Sequence, residues 1–199
     1  RYLVIHGDEQ TAREVLLDHM GTAKGKAYLV ENSTRNVEVR GGKVDPNRLF
    51  SNEGLERNLH LLNPGAAETW IASAVVEIQN SRHELVNAVM PPNGSVLIVL
   101  HNNASSYSVK SEVPISDQVA LNDPDNPHDF GLCTSPSDFT LLSKGPYNMV
   151  LQNYRPSNDD GSLSRLAARM GFRYLNLEAR IGNVNKQKDM LNWVESVLS

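Results

Sequence analysis

Ser95-Val-Leu-Ile-Val-Leu100 is an unbroken apolar run that leads directly into His101-Asn102-Asn103. A strand with one wet face alternates apolar and polar residues. This one does not, so both of its faces must be covered. Upstream, residues 2–5 predict a buried strand, and residues 11–20 a helix with Val15, Leu16 and Met20 on its apolar side. Gly21 and Gly25 mark the following turn, and residues 27–31 and 36–40 predict two short strands around Asn32-Ser33-Thr34. Residues 41–52 are polar and irregular, the type of loop that carries function on a rigid scaffold. After Pro64-Gly65, the spacing of Ile71, Val75, Ile78, Leu85 and Val89 predicts a long helix over 66–89, stopped by Pro91-Pro92.

Downstream of the apolar run, residues 102–136 are rich in Asn, Asp, Ser and Pro and predict a long loop, functional or mobile. Residues 139–142 and 148–153 predict strands, and 162–170 a helix N-capped by Ser162 and closed by Gly171. Residues 172–178 predict the last strand and 186–198 an amphipathic terminal helix. Strands alternating with helices give the fold class: α/β, a mixed and mainly parallel central sheet flanked by helices. Residues 1–199 fit a single domain.

Composition excludes several classes. With 40% hydrophobic and 21% charged residues the chain is an ordinary globular one. A net charge of −4 with scattered Lys and Arg gives no footprint for nucleic acid. No apolar run approaches the roughly 18 to 20 residues that span a bilayer. The lone cysteine, Cys133, excludes an internal disulfide and has no histidine-rich motif around it, so a structural thiol is expected. Arg1 stands immediately before a core strand, an abrupt start. The expectation is that residues precede it, and a removed signal peptide could be among them, which leaves cytoplasm, periplasm and secretion open.

Three ionisable groups stand at the ends of predicted central strands: His6 in His6-Gly-Asp-Glu9, His101 after the apolar run, and Glu178 in Leu-Glu178-Ala-Arg180. In an open α/β sheet, ligands bind just beyond the carboxyl ends of the strands. Buried ionisable groups are costly unless paired or bound to metal, and convergence on one metal would satisfy all of them. Two histidines and a glutamate with an open fourth position suit a hydrolytic zinc ion. Arg40, followed by Asp45-Pro46-Asn47-Arg48-Leu49-Phe50, adds guanidinium groups fit to grip a carboxylate and polarise a carbonyl.

Together, in this order, His6-Gly-Asp-Glu9, Arg40, Asp45-Pro46-Asn47-Arg48, His101 and Glu178 resemble the zinc carboxypeptidase superfamily. That group holds carboxypeptidase A-type peptidases and succinylglutamate desuccinylase/aspartoacylase deacylases. The resemblance implies one zinc ion held by His6, Glu9 and His101. It implies Glu178 as the general base toward the attacking water and Arg40 as the group that polarises the scissile carbonyl. It implies Asn47 and Arg48 as the grip on a substrate carboxylate, with Tyr154 as the candidate for the mobile tyrosine of carboxypeptidases. The substrate would be a small molecule or short peptide with a free carboxylate. Two features depart from the family pattern: Pro46 replaces an aliphatic residue, and two asparagines, Asn102 and Asn103, follow His101.

Other readings stay open at this level. A deacylase would share the metal and the base, and a binding module on the same scaffold would use the cavity without chemistry. Singly, His6 and His101 could be satisfied core histidines, and Arg40 and Arg48 could pair with Glu31, Glu38 or Asp45, such surface pairs stabilising little. Glu178 could pair with Arg180 or Arg40, and Asn102 and Asn103 could orient His101 or form an ordinary turn. His19, His60, His83 and His128 are expected at the surface.

Overall fold

Strand order explains where the chemistry collects. The computed structural model describes residues 1–104, 106–154 and 159–198. In chain order the strands are β1 (Tyr2–Val4), β2 (Ala27–Leu29), β3 (Val37–Val39), β4 (Gly42–Val44), β5 (Val96–Asn103), β6 (Gln118–Ala120), β7 (Phe130–Cys133), β8 (Asn148–Leu151) and β9 (Arg173–Arg180). Seven of them form one sheet in the order β2-β1-β5-β9-β7-β8-β6, while β3 and β4 make a separate hairpin. β2, β1, β5 and β9 are mutually parallel; β7 meets β9 antiparallel, β8 runs parallel to β7, and β6 is antiparallel to β8. The sheet is therefore mixed and mostly parallel, with helices on both faces, in one compact domain.

The helices are α1 (Gln10–His19), α2 (Asn52–Leu62), α3 (Glu68–Val89), α4 (Val109–Glu112), α5 (Pro136–Leu142), α6 (Leu163–Met170) and α7 (Val184–Leu198). Alternate residues of β5 serve the two sides. Ile98 and Leu100 pack with Val15 and Leu16 of α1 and with Met190, Leu191 and Val194 of α7. Leu97 and Val99 pack with Val89 of α3, Leu163 and Leu166 of α6, and Phe130 of β7. Each such side chain contributes about 1.5 to 3 kcal/mol on burial, so a polar residue anywhere in the run would be opposed from both sides. A third cluster joins the hairpin to α2 and α3 through Val39, Val44, Leu55, Leu59, Ile71 and Ile78.

Several local expectations are corrected. Residues 139–142 are helical, not extended: Ser135 accepts from Asp138 N–H as N-cap and Pro136 opens α5. The predicted loop over 102–136 contains the end of β5, then α4, β6 and the buried strand β7. The apolar run continues as strand through His101 to Asn103. Residues 41–52 hold β4 and the 3-10 turn Pro46–Arg48, and α2 follows a Ser51 cap that the sequence pattern did not reveal. Cys133 is buried in β7, and burial first, then the charge of Asp138, pushes its thiol up to about 12, which is unsuited to nucleophilic work. Among the described residues no helix is long and apolar enough to cross a membrane.

Candidate metal centre and its cavity

The turn from β1 into α1 delivers two of the three predicted ligands. His6 follows β1, and Glu9 is the residue that precedes the first turn of α1. Gly7 between them admits no side chain, because an added Cβ would lie 1.8 Å from Asn32 Oδ1. The third ligand, His101, lies on β5, beside β1 in the parallel sheet. All three are buried. His6 Nδ1 lies 2.8 Å from Glu9 Oε1, and His101 Nδ1 lies 3.0 Å from Glu9 Oε2. One ligand atom from each of the three falls within 4.8 Å of the others.

The surroundings of His6 fix its chemistry. Its Nε2 is 2.9 Å from Asp45 Oδ1, and that oxygen also accepts the Asn47 N–H at 2.8 Å. Asp45 thus holds a proton on Nε2 and leaves the Nδ1 lone pair facing the Glu9 carboxylate. A lone pair and a carboxylate oxygen at that separation repel unless something positive lies between them. In the metal-free protein a proton does this. Burial alone would lower the His6 pKa, but hydrogen bonds to Asp45 and Glu9 override it and raise the pKa to about 8. Burial would likewise raise Glu9, yet His101 and His6 hold it down to about 2. Asp45, raised by burial, is held well below the carboxylate range by His6 and Arg35. A divalent cation could replace the bridging proton, and the carboxylate–histidine pair behind the ligand is the support that metal-binding histidines use. The donor set of two imidazoles and a carboxylate fits zinc. His101 is less supported: its Nε2 is buried without a hydrogen-bond partner.

Glu178 stands on the neighbouring strand, β9, in direct register with His101 on β5. Among the described residues its two oxygens accept from neutral amides only, Asn176 Nδ2 at 3.2 Å and Asn103 Nδ2 at 3.1 Å. Burial raises its pKa above the ordinary value; His101 partly opposes this, and the charge of Glu9 adds to it. Arg180 does not pair with it, and its backbone N–H goes to Asp129 Oδ1 instead. The two asparagines after His101 are structural organisers. Asn102 Oδ1 accepts the Ala12 N–H at the start of α1, tying the Glu9 helix to β5, and Asn102 Nδ2 reaches Gln187 Oε1 on α7. Asn103 is held in turn by His128, whose Nδ1 meets Asn103 Oδ1 at 3.2 Å and whose carbonyl accepts from Asn103 Nδ2. His128, expected at the surface, is therefore half-buried behind the base. His19 is also partly enclosed, with Nε2 at 3.0 Å from Glu195 Oε1.

A cavity of about 520 Å³ opens over these groups. Asn47 and Arg48 line it as predicted. Asn47 Oδ1 is committed to the Leu163 N–H at 3.0 Å, while Arg48 donates to its neighbour's carbonyl and stands 3.9 Å from Asp160. Arg40 is not among the lining residues. It occupies the tip of the β3–β4 hairpin, where φ is 50° at Arg40 and 76° at Gly41, and its guanidinium pairs with Glu77 at 3.2 Å. Two successive positive φ values are those of a tight hairpin turn, which presents the tip to solvent. Arg35, which the sequence pattern did not single out, lines the cavity instead. It lies 3.6 Å from Glu9 and 3.3 Å from Asp45. Tyr154 is also outside the lining; it is 64% exposed, and its N–H goes to Asp117. Two tyrosines stand on the wall, Tyr174 of β9 and Tyr107, the latter from the stretch predicted as a long loop.

No protein-family model, curated protein or solved structure matches this chain.

Proposed function

We propose that this chain is a zinc-dependent hydrolase that cleaves an amide bond in a small molecule or short peptide bearing a free carboxylate. One observation carries it: the Nδ1 atoms of His6 and His101 both converge on the Glu9 carboxylate, beside Glu178, which has no cationic partner among the described residues. His6, Glu9 and His101 would hold the ion. When bound, zinc supplies a Lewis acid and lowers the pKa of water toward neutrality.

The chain's own groups divide the remaining work. Glu178, ionised, takes the proton of the attacking water on a carboxylate oxygen and passes it to the leaving nitrogen. Asn103 and Asn176 keep that oxygen pair in place, and burial makes the carboxylate a stronger base than a solvated one. The Arg35 guanidinium, beside the ligand carboxylate, stabilises negative charge as it develops on the carbonyl oxygen. That is the role assigned from sequence to Arg40, which the hairpin turns away. Arg48 and the free amide of Asn47 bind the substrate's carboxylate.

The test is a hydrolysis screen of the zinc-loaded protein with C-terminal dipeptides and with N-acetyl and N-succinyl amino acids. Zinc-dependent release of an amine from either set supports the proposal, and the set that is cleaved separates a peptidase from a deacylase. Stoichiometric zinc with no cleavage of any member would favour a binding module.

A further inference from the structure

Away from Glu178, two charged side chains held by the cavity wall have no counter-ion among the described residues, and their signs are opposite. Arg165, on α6, lines the cavity and is only 8% exposed. Its guanidinium donates from Nη1 to the Tyr154 carbonyl at 3.5 Å and joins no ion pair among the described residues. A guanidinium taken out of water without an anion is costly, so the site is incomplete as it stands.

Glu112, at the end of α4, lines the same cavity. Among the described residues its oxygens meet neutral donors only: the Tyr107 hydroxyl at 2.6 Å on Oε1 and Gln152 Nε2 at 2.5 Å on Oε2. Both donors are themselves fixed, since Gln152 is buried and the Tyr107 ring packs on Phe130 with centroids 5.8 Å apart. The carboxylate is therefore aimed without being neutralised. A carboxylate has about four acceptor positions, so two remain for a further donor.

We infer that the ligand of this cavity is zwitterionic, with its anionic group taken by Arg165 together with the Arg48 of the hydrolase proposal, and an ammonium-type cation on Glu112. The inference rests on the hydrolase proposal in one respect, that this cavity is where substrate binds. One molecule carrying both charges compensates both walls. A ligand with a carboxylate alone leaves Glu112 desolvated and unpaired, and that penalty is what discriminates. Among amide substrates the class is a carboxylate-bearing amino acid derivative or short peptide that also holds a free amine.

The experiment is isothermal titration of the zinc-loaded full chain with three probes. Nα-acetyl-lysine carries both charges, Nα-acetyl-norleucine only the carboxylate, and Nα-acetyl-lysinamide only the ammonium. Acetyl-lysine is expected to bind at least about tenfold tighter than either single-charge probe, the scale of a hydrogen bond to a charged group. Glu112→Gln should bring acetyl-lysine to the level of acetyl-norleucine, and Arg165→Met should weaken it at least about fivefold toward that of acetyl-lysinamide. Equal affinity of the three probes for the wild-type protein, or no binding of any, overturns the inference, and that comparison needs no variant to fold. A preference that survives Glu112→Gln overturns it as well. Amine release, assayed on the recovered samples, reports on hydrolysis separately. Absent cleavage of these acetyl probes with a retained tenfold preference would count against the deacylase form of the hydrolase proposal and in favour of the zwitterionic ligand.

Discussion

Glu9 and Glu178 are two buried carboxylates that face one cavity, yet their surroundings drive them in opposite directions. Glu9, on the β1–α1 side, is enclosed by two imidazoles and approached by Arg35, and its pKa falls to about 2. Glu178, on β9, has only the amides of Asn103 and Asn176 against its oxygens, and its pKa rises. The first environment keeps a carboxylate ionised and fixed, as a ligand requires. The second keeps one ready to take up a proton. That separation is what the proposed division of labour, a ligand on one side and a general base on the other, requires.

The largest expected effect breaks the comparison on the Glu178 side. Glu178→Gln preserves shape but cannot accept the proton, so kcat should fall about a hundredfold or more. Zinc content by elemental analysis should not change. If zinc is lost instead, Glu178 is a ligand and the division between the two carboxylates is wrong.

The next test contrasts two arginines. Arg35→Ala should lower kcat about a hundredfold, the scale of removing one oxyanion donor. Arg40→Ala removes an exposed ion pair with Glu77 worth less than about 1 kcal/mol, and turnover should stay near wild type. The reverse ranking would restore the assignment made from sequence.

That contrast also shows what the sequence could carry. The run from Ser95 to Leu100 revealed a doubly covered strand because burial on both faces leaves a composition signal. His6, Glu9, His101 and Glu178 were legible because each lies on or beside a strand that the pattern located. Arg40 and Arg35 were not separable, since their difference depends on where the β3–β4 hairpin turns. Phe130-Gly-Leu-Cys133 is too short for a periodic signal and is hidden among Asn, Asp and Pro. Phe139-Thr-Leu-Leu142 reads as extended on its own, and the helix it belongs to starts upstream, at the Ser135 cap and Pro136, in residues that read as loop. Arg165 and Glu112 acquire meaning only through the cavity wall they share, which the fold assembles from segments far apart in sequence.

On the ligand side, Asp45→Asn tests the support behind His6. Losing that carboxylate should weaken zinc binding about 10- to 100-fold while the fold persists. Competition with a fluorescent chelator would read the change, and an unaltered affinity would mean that His6 is not held for metal.

The smallest effects are pH-dependent. The raised pKa of Glu178 means that the folded state keeps its proton more firmly than the unfolded chain. Its contribution to stability is therefore complete below the ordinary value of 4.5 and is lost as pH rises through the higher folded value. In chelated protein, Glu178→Gln should thus melt above wild type at neutral pH, with the difference fading below pH 4.5. In the loaded enzyme the same group should set the acid limb of kcat/KM, and Glu178→Gln should remove that limb from the residual activity. Identical melting curves across the range would show that Glu178 is not strained by burial.

The claim on which all of this depends is that His6, Glu9 and His101 bind a metal ion. The direct measurement is a zinc titration of the chelated protein beside His101→Ala, with circular dichroism to confirm that both are folded. One zinc per chain for the wild type, and none for the folded variant, is the predicted result. Stoichiometric zinc retained by His101→Ala, or no uptake by the wild-type chain, would contradict the account.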